Sequence, residues 1–165
     1  MRIGVDLGGT KIEAVALDET DHCLCQKRIP TPAGDYQATL RAVADLVRSI
    51  EQETQQQGTV GIGTPGSASP TTGLMRNANS TCLNGRPLQQ DLEKRLKRTI
   101  RIANDADCFT LSEARDGAAA SASSVFGVIL GTGTGAGIAI NGQLIPSQNR
   151  IAGEWGHNPL PWPNP

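Results

Sequence analysis

The chain of 165 residues contains no apolar run near the roughly 18 residues that read as a membrane helix. It has no excess of charge of either sign. Its 15 Lys and Arg face 16 Asp and Glu, leaving a net charge of −1. Such a balance gives no electrostatic footprint for nucleic acid or for an anionic membrane, and neither is an expected partner. Cysteine is sparse: Cys23, Cys25, Cys82 and Cys108. Cys23-x-Cys25 lies in a strand-like run, where i and i+2 share a face. No second pair or nearby histidine follows to complete a metal site, so the four read as ordinary thiols in a reducing cytosol. A leader pattern is lacking as well. Met1-Arg-Ile-Gly-Val-Asp6 enters a strand pattern at once, and the expected compartment is the cytoplasm.

What is present fits a globular α/β protein, with 38% hydrophobic and 19% charged residues. The 19 glycines cluster in loops after apolar runs, which points to backbone approaching a ligand closely. Arg2–Asp6, Ile12–Leu17 and His22–Ile29 read as a three-stranded meander with a glycine turn at its first bend. Tyr36 to about Gln55 reads as a helix, with Leu40, Val43, Val47 and Ile50 on one stripe. Thr59–Gly63 is a further strand. Residues 64–86 are rich in Gly, Ser, Pro, Thr and Asn and read as an ordered loop with a hairpin near Leu74–Met75. Pro87 opens a second helix, with Leu88, Leu92 and Leu96 as its apolar face. Thr99–Ala103 is a strand and Ala106–Arg115 a third helix. Residues 118–124 are small and polar, a hinge. Val125–Leu130, Ala136–Ile140 and Gln143–Ile145 form a second meander, with Asn141-Gly142 as its hairpin signal. The expected division is an N-terminal domain over 1–117 and the start of a C-terminal domain over 118–165. Each begins strand, glycine turn, strand, which suggests an internal duplication.

The two glycine turns carry the first chemistry. In Asp6-Leu-Gly-Gly-Thr-Lys11, Gly8 and Gly9 allow backbone N–H groups to approach an anion, Thr10 adds a hydroxyl donor and Lys11 adds charge. Asp6, at the strand end, suits water-mediated Mg²⁺. The Walker spacing is absent, and a strand rather than a helix follows, so this is neither a P-loop nor a dinucleotide fingerprint. Gly131-Thr-Gly-Thr-Gly135 is a second such turn, and the pair suggests two loops closing on one polyphosphate. Asn104-Asp105 ends a strand just before a helix. Asp105 suits an N-cap, and equally a general base that takes the proton of an acceptor hydroxyl. Glu154 and His157, in Gly153-Glu-Trp-Gly-His157, suit hydrogen bonds to vicinal hydroxyls. The same loop reads alternatively as plain surface, and His157 as a zinc ligand.

Taken together, Asp6-Leu-Gly-Gly-Thr-Lys11, Gly61-Ile-Gly-Thr-Pro-Gly66, Asn104-Asp105-Ala106, Gly131-Thr-Gly-Thr-Gly135 and Gly153-Glu-Trp-Gly-His157 resemble, in this order, the ROK family of repressors and sugar kinases. Asn79-Ser-Thr-Cys-Leu-Asn-Gly85 and Gly156-His-Asn-Pro-Leu-Pro-Trp162 resemble its bacterial fructokinase or mannofructokinase branch. The resemblance implies the actin-like (ribonuclease H-like) sugar-kinase fold and an ATP-dependent kinase. Its acceptor would be the 6-hydroxyl of fructose, or of mannose or glucose. It implies phosphate contacts at Gly8, Gly9, Thr10, Lys11, Thr132 and Gly133, and a catalytic base at Asp105. Sugar contacts would come from Asn104, Glu154 and His157, with Gly66 and Asn84. Zn²⁺ on His157 would accompany Mg²⁺ and ATP. No basic helix precedes the first phosphate motif, which favours kinase over repressor. The family's C-x-C-G-x-x-G-C segment after His157 is not among these residues. The chain is therefore expected to be the N-terminal portion of a kinase, inactive alone. The strand pair Val125–Ile140 is expected to leave an apolar face uncovered, and a homodimer is the expected assembly. The alternatives are a non-catalytic sugar-binding or sugar-sensing module and an actin-like ATPase.

Overall fold

Alternating apolar and polar residues make Arg2–Leu7 a strand, β1, that buries Ile3, Val5 and Leu7 on one face. The computed structural model describes residues 1–131, 133–145, 152 and 153. The described residues form two compact units, 1–104 and 105 onward.

In the first unit, β1 pairs antiparallel with β2 (Lys11–Leu17), and β2 with β3 (Cys23–Pro30). A register shift between Ala16 and Leu17 leaves Leu24 without a partner. Cys23 and Cys25, expected to share a face, differ accordingly: Cys23 is exposed and Cys25 buried. Helix α1 (Tyr36–Thr54) follows, and its first turn is capped by Asp35, whose Oδ1 accepts the N–H of Ala38 at 2.9 Å. Strand β4 (Thr59–Thr64) lies parallel to β1. Strands β5 (Ser67–Ala68) and β6 (Met75–Arg76) make a small hairpin of their own. Helix α2 (Leu88–Leu96) has Pro87 at its N-cap, one place earlier than expected. Strand β7 (Arg101–Asn104) lies parallel to β4.

The resulting sheet has the order β3-β2-β1-β4-β7. Leu40, Val43, Val47 and Ile50 of α1 and Leu88, Leu92 and Leu96 of α2 are buried with β1, β2 and β4 in one core. Burying each such side chain contributes about 1.5–3 kcal/mol. The link from α2 to β7 is tied down by polar contacts. Ile100 N–H donates to Glu93 Oε1 at 3.1 Å, and Ile100 carbonyl accepts from Gln89 Nε2 at 3.1 Å. Because β1, β4 and β7 are parallel, their carboxyl ends share one edge of the sheet, where open α/β sheets present functional groups.

The second unit opens with α3 (Asp105–Arg115), followed by β8 (Ser124–Leu130), β9 (Thr134–Ile140) and β10 (Gln143–Leu144) in the antiparallel order β10-β9-β8. The β9–β10 turn is Asn141-Gly142, with φ of 50° and 70°, the double positive φ of a type I′ hairpin. Helix α3 lays Ala106, Thr110 and Ala114 on β8 and β9. On the opposite face of these strands Phe126, Val128, Leu130 and Ile140 are exposed. The expected division between 117 and 118 differs from that of the compact units. The small residues of α3 seat it on β8 and β9, so it groups with them. The residues after it fold back onto its end, Ala118 N–H donating to Glu113 Oε2 at 2.8 Å and Ala119 N–H to the Glu113 carbonyl at 3.0 Å.

Candidate active site

The first glycine turn closes the β1–β2 hairpin. Leu7 pairs with Ile12, and Gly8 N–H donates to the Lys11 carbonyl at 3.0 Å. A Cβ on Gly8 would stand 2.9 Å from that carbonyl oxygen, so the turn is too tight for a side chain there. Gly9 has room, its nearest neighbour being Ser80 Oγ at 3.6 Å from a Cβ position. Thr31 braces the turn from the end of β3: its hydroxyl donates to Gly8 carbonyl at 2.8 Å and its N–H to Thr10 carbonyl at 3.0 Å. With its carbonyls so occupied, the N–H groups of Gly9 and Thr10 find no acceptor among the described residues. These two donors lie on exposed residues of the turn, the kind of donor an anion site uses. The ammonium of Lys11 is half exposed, 3.6 Å from Glu13 Oε2. Glu13 is held more closely by Arg28, whose guanidinium reaches it at 2.7 Å and pushes its carboxyl below the ordinary range. Asp6 lies one strand step before this turn, exposed, on the face opposite Val5 and Leu7.

At the end of β4, Gly66 takes φ of +77°. Its carbonyl accepts from Asn104 Nδ2 at 3.1 Å, which joins the ends of β4 and β7. Asn84 belongs to the same loop region but turns inward on it. Its Oδ1 accepts Ala78 N–H at 2.9 Å and its Nδ2 donates to Ala78 carbonyl at 3.0 Å, so both ends of the amide hold the loop's shape. The loop's one short helical turn, Thr81–Leu83, buries Leu83 beneath it.

Asp105 is the first residue of α3, and its Oδ1 accepts the N–H of Ala106 at 2.9 Å. The carboxylate thus bonds the N–H of the next residue, at the dipole-positive end of the helix. The second glycine turn joins β8 to β9, with Gly131 N–H donating to Gly133 carbonyl at 2.9 Å. Gly133 is exposed. Thr132, Glu154 and His157 lie outside the described residues, and the zinc expectation on His157 with them. Among the described residues no cluster of three or more His, Cys, Asp or Glu is placed to hold a metal.

The sequence reading missed Thr31 and Ser80. Thr31 was legible in principle: the β2–β3 register pairs Lys11 with Pro30, which puts the next residue beside the turn. Nothing in the pattern pointed to Ser80.

Three comparisons bear on what this arrangement belongs to. An N-acetyl-D-glucosamine kinase of Pectobacterium atrosepticum is 46% identical over 161 residues, covering 98% of this chain and 53% of that protein. One of Yersinia pestis is 44% identical, over 98% of this chain and 63% of that protein. Among solved structures, a ROK hexokinase from Thermus thermophilus superposes with a TM-score of 0.81 at 30% identity, over 96% of this chain and 53% of that one. A ROK glucokinase from Streptomyces griseus, in complex with glucose and AMPPNP, gives 0.82 at 30% identity, over 95% and 50%. The fold is thus that of the actin-like ATPases. The chain spans about half the length of the curated relatives it matches. The ROK family itself matches over residues 2–165, and the chain is a member of it.

Proposed function

We propose that the protein of which this chain is part is an ATP-dependent hexose kinase, with Asp105 as general base toward a sugar 6-hydroxyl. The observation that carries this is the family match across residues 2–165, with the half-buried Asp105 at the start of α3 and, after β1, a turn whose N–H groups find no acceptor among the described residues. When bound, Mg-ATP supplies the phosphoryl group. Gly9 and Thr10 N–H, with Lys11, hold phosphate oxygens at the first turn, and Gly133 with Thr132 at the second. Asp6 would hold Mg²⁺ through water, the ion neutralising phosphate charge. Asn104 orients the sugar through the Gly66 loop, with Glu154 and His157 as further sugar contacts. Asn84 serves that loop from within. Asp105 accepts the hydroxyl proton as the sugar oxygen bonds to the γ-phosphorus and the bond from that phosphorus to the bridging oxygen of ADP breaks, ADP leaving with that oxygen.

Two acceptor readings compete. The resemblance of residues 79–85 and 156–162 favours fructose, with mannose and glucose beside it. The names of the relatives at 44–46% identity favour N-acetyl-D-glucosamine, and this is the stronger support. The assay is ADP release by the intact protein across fructose, mannose, glucose and N-acetyl-D-glucosamine. Asp105→Asn is expected to lower kcat by about 10²–10⁴-fold, and a loss under about tenfold rejects the base assignment. Sugar-dependent thermal stabilisation without ADP release favours a binding module instead. ATP hydrolysis indifferent to sugar favours an actin-like ATPase. A cytoplasmic homodimer is the accompanying expectation, checked by sedimentation.

A further inference from the structure

Helix α3 lies closer to β8 and β9 than ordinary side chains permit. A Cβ on Gly127 would stand 2.2 Å from Thr110 Oγ1 and 3.0 Å from Thr110 Cβ. One on Gly137 would stand 2.6 Å from the same Oγ1 and 2.9 Å from the Ala106 carbonyl oxygen. Gly127 and Gly137 are direct partners in the β8–β9 ladder, so Thr110 rests on a cross-strand pair with no side chains. Thr110 is fully buried, and its Oγ1 has no hydrogen-bond partner among the described residues. A buried hydroxyl left unpaired is unfavourable, so it is the shape of the residue that the site uses. One turn earlier, Ala106 Cβ lies 3.3 Å from a Cβ position on Gly135, which ends the second glycine turn. Ala106 directly follows Asp105 and donates to its carboxylate.

We propose that Gly127, Gly137 and Thr110 are positioning residues. They seat α3 on bare strand backbone and thereby fix the Asp105 carboxylate relative to the turn formed by Gly131, Gly133 and Gly135. This rests on the kinase reading above. Its physical basis is that a base displaced by about 1 Å costs on the order of 10²-fold in rate.

The test is a set of substitutions in the intact protein. Gly127→Ala is expected to lower kcat by about 10–100-fold, with the sugar KM changed less than about threefold. Thr110→Ala on that background removes the 2.2 Å clash and leaves contacts of 3.0 Å and above to Thr110 Cβ and Cα, so kcat recovers most of the loss. The same second change does not rescue Gly137→Ala, because the Ala106 carbonyl still stands 2.9 Å away. Thr110→Ala alone loosens α3 and lowers kcat several-fold, and the shape-matched Thr110→Val recovers it. If Gly127→Ala fails to fold, that Ala and Val pair decides. Amide hydrogen exchange over residues 106–110 reads the seating of α3 without reference to activity. Faster exchange in a folded Gly127→Ala with kcat within twofold of wild type overturns the proposal alone. Equal loss in Thr110→Val and Thr110→Ala overturns it too, by assigning the effect to the hydroxyl. Wild type that releases no ADP with any hexose overturns the kinase reading, and the proposal with it.

Discussion

Three glycines of the first unit separate two costs that are usually confounded. Gly61 has no positive φ, and a Cβ there meets nothing within 4 Å. Gly34 has φ of +72° and equally open space. Gly66 has φ of +77°, and a Cβ there would stand 2.3 Å from Arg76 carbonyl oxygen, 2.7 Å from Ala78 N and 2.8 Å from Asn77 C. All three clashes are with backbone, which yields only by moving the β6 hairpin. Alanine gains about 0.4–1 kcal/mol at each site from the reduced entropy of the unfolded chain. Left-handed strain costs about 1–2 kcal/mol at Gly34 and Gly66. Overpacking adds about 1–3 kcal/mol at Gly66 alone. The expected order is therefore Gly61→Ala neutral or stabilising by a few tenths of a kcal/mol, Gly34→Ala down by about 0.5–1, and Gly66→Ala down by about 3. Urea denaturation measures this directly. With a slope of about 2 kcal/mol/M, Gly66→Ala lowers the midpoint by about 1.5 M. A midpoint for Gly66→Ala within about 0.3 M of that for Gly34→Ala refutes the claim that backbone contact, rather than φ, reserves the position for glycine. Gly66 also holds Asn104 through its carbonyl, so its variant is expected to raise the sugar KM, while Gly34→Ala leaves it unchanged.

Further outcomes follow from single side chains. Asp35→Ala removes the N-terminal side-chain cap of α1 and is expected to cost about 1 kcal/mol by denaturation. The Tyr36 hydroxyl donates to Asp91 Oδ2 at 2.9 Å, and burial first, then that carboxylate, raise the phenol above its ordinary value near 10. A raised folded value means stability that is whole below about pH 10 and is lost as pH rises through the folded value. Tyr36→Phe is expected to cost about 1.5 kcal/mol at neutral pH, the worth of a hydrogen bond to a charged group, and to remove the alkaline slope. Glu13 shifts the other way, lowered chiefly by its hydrogen bond from Arg28. The stability it contributes is present above its ordinary value of 4.5 and is lost as pH falls through the lower folded value, so Glu13→Gln flattens the acid limb of a melting-temperature profile.

The elements with strong period were legible in the sequence. β1, β2 and β4 alternate, and α1 carries a stripe of large apolar residues, so each was placed to within a residue or two. The type I′ turn at Asn141-Gly142 was legible because few dipeptides tolerate two positive φ values. The small hairpin of β5 and β6 was visible only as turn composition, since strands of two residues have no period to read. The inward-turned amide of Asn84 was not legible at all, because an exposed Asn in a polar loop carries no sign of which backbone it will bind.

Glycine explains the largest difference between reading and structure. In Asp6-Leu-Gly-Gly-Thr-Lys11 and Gly131–Gly135 the glycines read as loop residues, and Gly8 is one, excluded from carrying a side chain by Lys11 carbonyl. Gly127 and Gly137 sit in strands, where a glycine ordinarily weakens the ladder. There they make room for the Thr110 side chain, which reads as an ordinary polar residue of a weak helix. A packing surface made of Ala106, Thr110 and Ala114 against bare backbone has almost no hydrophobic signature on either side. The polar stretch 118–124 accordingly read as the hinge, while the compact units of the structure divide between Asn104 and Asp105. Two neighbouring residues are thereby held by different means. Asn104 is tied to Gly66 by an amide hydrogen bond, and Asp105 is carried by a helix seated on glycine. Defects in sugar orientation and in proton acceptance are therefore expected to separate, the first in KM and the second in kcat.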